Sequence, residues 1–250
     1  MPPPKKVPQT DAIFEHLKEV HEEAAASDAV LRVSLDAKAT IPIGPFARGG
    51  SSRVGTTGAD HDFKPQGTLT PFGIFVPAHD DLSLFFTASK VTSDFIVDIL
   101  DAWWRQVQGD FPQVRTLLLD LDNGPENNGQ RSQFLYRLVG FARAHQVTVR
   151  LAYYPPYHSK YNPIERCWGV LENYWRGELL DSEAAILGYA RRMTYNGKHP
   201  TVHRVTQSYS KGVRRTKAEK KQLEQQLLRL PELPKWFIEI PPDSPDEALF

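Results

Sequence analysis

Three acidic residues of this chain stand where chemistry is possible. Glu165 follows the stiff loop Tyr154-Pro155-Pro156-Tyr157-His158-Ser159-Lys160-Tyr161-Asn162-Pro163-Ile164 and falls on the first turn of a helix. Asp36 closes the apolar run Val30-Leu31-Arg32-Val33-Ser34-Leu35, and Asp122 closes Leu117-Leu118-Leu119-Asp120-Leu121. Two strand ends and one helix start therefore each offer a carboxylate. Three carboxylates gathered in one place hold hard divalent cations through oxygen, and such sites carry out phosphoryl chemistry. The three are far apart along the chain and share no local motif, so only a folded sheet brings them together. Carboxyl ends of strands are where α/β sheets place ligands, because the strand holds a side chain rigidly and leaves it open.

Each acid also has a purely structural reading. Asp36 can be a solvated residue beginning the turn into Ala37-Lys38-Ala39. Asp122 can be an Asx-type turn former before Asn123-Gly124-Pro125, which would leave Asp120 as the functional acid. Strand alternation puts Asp120 and Asp122 on one side, with Asp122 nearer the strand end. For Glu165, Asn162 as N-cap, Pro163 at N1 and Glu165 at N3 form a capping-box-like start that stabilises a helix by about 1 kcal/mol without any chemistry. That reading is compatible with metal ligation, since the helix dipole keeps a first-turn carboxylate ionised. Ile164, Cys167, Trp168, Leu171 and Trp175 form the apolar face of the same helix, so both tryptophans are expected to pack and the lone cysteine to be a buried bystander. His158 and Lys160 lie just before the acid, where either can meet a phosphate or simply be solvated.

The elements that position these acids follow from periodicity. Thr10 to Ala26 carries Ile13, Leu17 and Val20 at helical spacing among many charges and reads as a surface lead-in helix outside the core. Val30 to Leu35 is a strand, Ala39 to Gly44 can start a second with Pro42 marking an edge, and Arg48 to Gly58 reads as a loop. Gly73 to Val76 and Leu82 to Thr87 complete an antiparallel meander. Phe95, Ile96, Ile99, Leu100 and Trp103 then predict an amphipathic helix ending near Gly109. The strand Thr116 to Leu121, a helix with Phe134, Leu135, Leu138, Val139 and Phe141, and the strand Val147 to Ala152 lead into the proline-rich loop and the Glu165 helix. Further helices are expected over Ser182 to Met193 and Lys217 to Leu230, with an extended tail from Pro234 to Pro242. Strands followed by helix, strand, helix, strand, helix define an α/β layer with a mixed sheet, the order of a ribonuclease H-like fold, with a basic helical C-terminal extension. The expected division is a lead-in over residues 1–28, a catalytic domain over 29–195 and the extension over 196–250.

The chain has 250 residues and a formal net charge of zero, enough for one large domain with a substantial core. Positive charge is segregated: Arg191, Arg192, Lys198, Arg204, Lys211, Arg214, Arg215, Lys217, Lys220 and Lys221 face only Glu219 across that stretch. Such a block is either a solvated face or a surface for phosphates. The N-terminus Met1-Pro2-Pro3-Pro4-Lys5-Lys6 lacks the apolar run of a signal peptide, and no stretch reaches the roughly 20 apolar residues of a membrane span. A cytoplasmic location is the expectation, with no membrane partner.

The spacing Pro-Pro-Tyr-x-Ser-x-x-Asn-Pro-Ile-Glu-x-x-Trp, Pro155 to Trp168 here, resembles the third-acid motif of DDE transposases of the mariner-like and insertion-sequence group. Asp122-Asn123-Gly124 followed by Asn127-Asn128-Gly129 is similar to that group's second-acid motif, and Asp36 within Val33-Ser34-Leu35-Asp36-Ala37-Lys38 to its first. Lys6 to Phe14, Asp60-His61-Asp62-Phe63 and Tyr157 to Asn162 are similar to segments of the Rhodopirellula-type bacterial transposases, and the likeness covers most of residues 6 to 210. The resemblance implies a ribonuclease H-like core and cutting and joining of DNA. It further implies that Asp36, Asp122 and Glu165 hold two magnesium or manganese ions. Implied partners are transposon ends, target DNA and a second copy of the chain in a synaptic complex. Lys160, His158, Arg191, Arg192, Lys211, Arg214 and Arg215 are the residues expected on the DNA. Nothing before Asp36 is long enough for the helix-turn-helix modules that usually open such proteins, so the chain is expected to be a catalytic domain without end recognition of its own. The alternatives are an inactive remnant that only binds DNA and a nuclease of the same fold that does not join ends.

Overall fold

Apolar runs and alternating stretches assemble into one mixed sheet, in a computed structural model that describes residues 8–44 and 65–243. The loop expected over Arg48 to Gly58, and Asp60 to Phe63, lie outside the described residues. In chain order the elements are α1 (Thr10–Ala26), β1 (Val30–Ala37), β2 (Ile41–Ile43), β3 (Gly67–Val76), β4 (Asp81–Thr87), α2 (Ser93–Val107), β5 (Thr116–Leu121), α3 (Ser132–His145), β6 (Thr148–Tyr153), α4 (Ile164–Trp175), α5 (Glu183–Arg192), β7 (Thr201–Val205), α6 (Lys217–Glu224), β8 (Leu228–Arg229) and β9 (Phe237–Ile240).

The strand order is β7-β4-β3-β1-β5-β6-β9-β8, with β2 paired to β3. β3 runs antiparallel to β1 and β4 antiparallel to β3, whereas β5 and β6 run parallel to β1. The five strands β4-β3-β1-β5-β6 are the ribonuclease H-like arrangement anticipated from the element order. Parallel β1, β5 and β6 are buried on both faces and read as nearly continuous apolar runs, Leu117, Leu118, Leu119 and Leu121 all being inaccessible. α2 and α3 pack together on one face. α1 and α4 cover the face that carries Arg32, Ser34 and Asp36.

Local signals explain where helices begin. The Thr92 side chain accepts from Phe95 N at α2, Ser182 from Ala185 N at α5, and Thr216 and Glu219 complete a capping box at α6. Phe95, Ile96, Ile99, Leu100 and Trp103, the stripe that predicts α2, are all buried.

Two expectations are corrected, and a third, the extended tail, is borne out with a partner. α1 belongs to the core: Ile13 is wholly buried and Leu17 nearly so, because charges occupy only the opposite face of this helix. The leucine spacing of Lys217 to Leu230 predicts one helix, but α6 stops at Glu224. Leu223 and Leu227 are buried inside the protein, and Leu228 enters β8, so the leucine face is largely spent on the core. The extended tail is a sheet strand, β9, pairing antiparallel with β6, while β7 from the basic stretch pairs parallel with β4. Chain beyond residue 195 thus supplies both edges of the sheet. No helix among the described residues is long and apolar enough to cross a membrane.

Candidate active site

The parallel register of β1 and β5 sets Ser34 opposite Asp120. Two residues further on, Asp36 and Asp122 stand at the carboxyl ends of adjacent strands, which in a sheet run about 4.8 Å apart. Both are half-buried. The third acid reaches them through a clamp between β1 and the start of α4. Ser34 Oγ donates to Asn162 Oδ1 at 2.5 Å and accepts from Ile164 N at 3.1 Å, and Asn162 Nδ2 donates to Leu35 O at 3.3 Å. Ser34 and Asn162 are almost completely buried. A first-turn helical N–H has no partner within its own helix, and here a serine from a strand 130 residues away provides one. Asn162 is therefore not the helix cap that its spacing predicts: no side chain caps α4 from within the loop, and the asparagine amide is turned to the strand. The helix start is locked to β1 two residues before Asp36 and one before Glu165.

Trp168 Nε1 donates to Asp36 Oδ2 at 2.8 Å, so this tryptophan packs as expected and also orients the first acid. Gly73, paired with Asp36 across β1 and β3, makes this possible. A Cβ at Gly73 would lie 2.5 Å from Ile164 Cδ1 and 2.8 Å from the Trp168 ring, so only glycine lets α4 lie this close to the sheet. Burial, then repulsion from Asp122 and from Glu165, pushes the Asp36 carboxyl up to about 7, against the opposing pull of the Trp168 N–H. The three acids thus share one electrostatic neighbourhood.

Asp122 Oδ1 accepts from Gly124 N at 3.2 Å and from Asn127 Nδ2 at 3.0 Å. The Asx-type turn is real, with Asn123 in the left-handed region (φ 62°), and it coexists with an acid at the strand end. Asp120, the alternative second acid, is wholly buried. It accepts from Arg32 Nε at 2.8 Å and Tyr154 Oη at 3.4 Å and pairs with His21 Nε2 at 2.8 Å. Its oxygens tie α1, β1 and the end of β6 together.

Among the described residues no group of three or more His, Cys, Asp or Glu side chains lies close enough to hold one ion. Asp122 and Glu165 each lie near enough to Asp36 to disfavour its charge, but the three do not enclose a single cation. The donor chemistry nevertheless fits a hard divalent ion. All three offer oxygen, and a Cβ placed on Gly124 would sit 3.1 Å from Asn127 Oδ1 and 3.3 and 3.5 Å from the two Asp122 oxygens, an oxygen-lined niche that glycine leaves open.

Lys160 lines an open depression of about 310 Å³ with Ser159, Glu165 and Arg166, which sets a cation beside the third acid. His158 stacks against Tyr161 and meets the edge of Phe14. Arg191 and Arg192 are exposed at the end of α5, a helix that packs with α4 and β7, and Arg192 lies over the Tyr189 ring at 4.5 Å. Lys211 and Arg214 are exposed. Arg215 is committed elsewhere: its guanidinium lies 3.6 Å over Tyr136, donates to Gln133 Oε1 at 2.8 Å and pairs with Glu219. Arg204 and Lys198 are likewise paired, with Glu183 and Asp81, so the basic block is less positive in space than along the chain. Cys167 is buried and its thiol is pushed up to about 12, as befits a bystander.

A mixed sheet ordered in this way, with acids at the ends of its central parallel strands and a third on a helix clamped to them, defines the class of ribonuclease H-like DDE proteins. The chain belongs to the Rhodopirellula transposase DDE domain family, whose profile matches residues 2–242. Among solved structures it is similar to the Mos1 transposase paired-end complex with the left transposon end, with a TM-score of 0.51 and 12% identity over 75% of this chain and 55% of that one. It is also similar to the Mos1 mariner paired-end complex with Mn, with a TM-score of 0.50 and 11% identity over 76% of this chain and 58% of that one. The chain thus spans less than three fifths of the Mos1 chains, and at this identity the likeness shows the fold. No curated protein sequence matches it significantly.

Proposed function

We propose that this chain is the catalytic domain of a DNA transposase that cleaves and transfers DNA strands with Asp36, Asp122 and Glu165 as its catalytic acids. The observation that carries this reading is the convergence of the three carboxylates at one sheet edge, close enough that two of them raise the proton affinity of the third. Asp36, Asp122 and Glu165 would hold magnesium or manganese, in two positions by the family resemblance. When bound, such ions activate an attacking oxygen and stabilise a leaving one. The protein's own part is positioning. Trp168 fixes the Asp36 carboxylate, Asn127 and Gly124 fix that of Asp122, and the Ser34 clamp fixes the helix that carries Glu165.

Lys160 and Arg166, beside Glu165, are placed to meet a strand phosphate, and exposed Lys211 and Arg214 to add affinity without reading bases. The substrates by this reading are transposon ends and target DNA, handled by paired copies of the chain. Asp122→Asn tests the assignment in a nicking assay on supercoiled plasmid with Mg²⁺ or Mn²⁺. The expected result is loss of nicking with DNA retention and fold unchanged. Undiminished nicking would remove Asp122 from the site, and nicking without transfer of a 3′-hydroxyl end into a second DNA would reduce the function to a nuclease.

A further inference from the structure

Asn127 is held at three points. Its backbone N–H donates to Gly124 O at 3.3 Å, its carbonyl accepts from the buried Tyr153 hydroxyl at 2.6 Å, and its Nδ2 donates to Asp122 Oδ1 at 3.0 Å. The residue is 8% exposed. The bond to Asp122 fixes which way the amide points, because a carboxylate oxygen accepts from the amide nitrogen and repels the amide oxygen. Oδ1 is thereby turned to a place where no donor among the described residues reaches it. A buried acceptor left without a donor is costly, so such an atom calls for a physical reason.

The reason is visible in what surrounds it. Asn127 Oδ1 and both Asp122 oxygens face the same small space above Gly124, and the missing Cβ of that glycine keeps it open. An acceptor without a donor, set beside an anionic carboxylate, suits a hard cation, which binds both through oxygen. The neighbouring acid Glu126 is already held through Oε2 by Arg131 and Ser93.

We propose that Asn127 Oδ1 is a neutral oxygen ligand, beside the Asp122 carboxylate, for a divalent cation at this site. The inference rests on the reading of Asp122 as a cation ligand. A neutral donor adds coordination where a further carboxylate would add charge to acids that already repel one another.

Mn²⁺ binding to the whole chain, followed without DNA by the electron paramagnetic resonance of free Mn²⁺, tests the proposal independently of activity. Asn127→Leu removes both amide atoms and is expected to weaken binding by roughly 10- to 100-fold. Asn127→Asp keeps an oxygen, deletes the N–H to Asp122 and adds charge. It is expected to bind Mn²⁺ as tightly as the native chain or more tightly, while melting at a lower temperature in EDTA because two carboxylates then face each other. If Asn127 only positioned Asp122 through Nδ2, Asn127→Asp would lose as much affinity as Asn127→Leu, and that result overturns the proposal. Native affinity in Asn127→Leu overturns it as well, and Asn127→Asp carries the comparison alone where the leucine variant does not fold. Asp122→Asn separates the two levels of argument. If it binds Mn²⁺ like the native chain, the acid site itself fails, whereas loss there with native binding in Asn127→Leu fails Asn127 alone.

Discussion

Asp36→Asn is expected to make the metal-free protein more stable at pH 8 and to leave it nearly unchanged at pH 4. The Asp36 carboxyl is raised from an ordinary 3.8 to about 7 by burial and by its acidic neighbours. Below the unfolded value it is protonated in both states and contributes nothing. Between about 4 and 7 the folded protein keeps a proton that the unfolded chain releases, so stability falls as pH rises, and above 7 the whole penalty is present. A shift of about three units at 1.36 kcal/mol each gives an upper bound of about 4 kcal/mol, and solvent access to this half-buried group brings the expectation to about 2–4 kcal/mol. Asparagine cannot ionise and can still accept from Trp168 Nε1, so it removes the penalty and keeps the bond. For a chain of this size the gain corresponds to roughly 5–10 °C in Tm. Thermal unfolding of both proteins in EDTA across pH 4 to 8 reads it directly: the difference in Tm should open with pH and level off above 7. Mg²⁺ or Mn²⁺ at pH 8 should raise the native Tm by more than that of Asp36→Asn. A Tm difference independent of pH would refute the claim that the acids converge.

Other outcomes follow from the same contacts. Ser34→Ala leaves Asn162 Oδ1 and Ile164 N without their buried partner, and about 2–4 kcal/mol should disappear from a urea unfolding curve; a change under about 0.5 kcal/mol would mean the clamp does not hold α4. Gly73→Ala drives a methyl into Ile164 and Trp168, with an expected cost of about 1–3 kcal/mol and a shift in tryptophan emission as the indole leaves Asp36; an unchanged spectrum would contradict the close approach. Glu165→Gln should stay within about 0.5 kcal/mol of native stability, because no capping bond depends on the carboxylate, and yet lose plasmid nicking. A variant that cuts normally but melts early would restore the purely structural account of Glu165.

The central layer of the fold was legible because its signals are local and mutually consistent. Leu117 to Leu121 reads as a doubly buried strand, and Phe95 to Trp103 as one helical face. The three acids could be located because each ends or begins such an element. Tertiary contacts decided the rest. Asn162-Pro163-Ile164-Glu165 has the spacing of a self-capped helix, but the partner that wins is Ser34, in a strand whose sequence gives no hint of it. Asp120 and Asp122 cannot be told apart by alternation; what sets them apart in the fold is that His21 and Arg32 bond to Asp120. Leu227 and Leu228 satisfy a helical period, yet the edge left open beyond β6 recruits Leu228 into β8 through pairing with β9. Charge counting misjudged the basic stretch for a similar reason, since the acids that neutralise Arg204 and Lys198 lie on α5 and β4.

The serine that reaches from β1 to α4 also sets an order of events. Asp36 and Asp122 leave the ribosome well before Glu165, and the helix bearing the third acid finds the partner for its first turn in a strand made some 130 residues earlier. A nascent or unravelled chain therefore presents two of the acids without the third in place, and the cluster of three forms only when the start of α4 docks back onto β1.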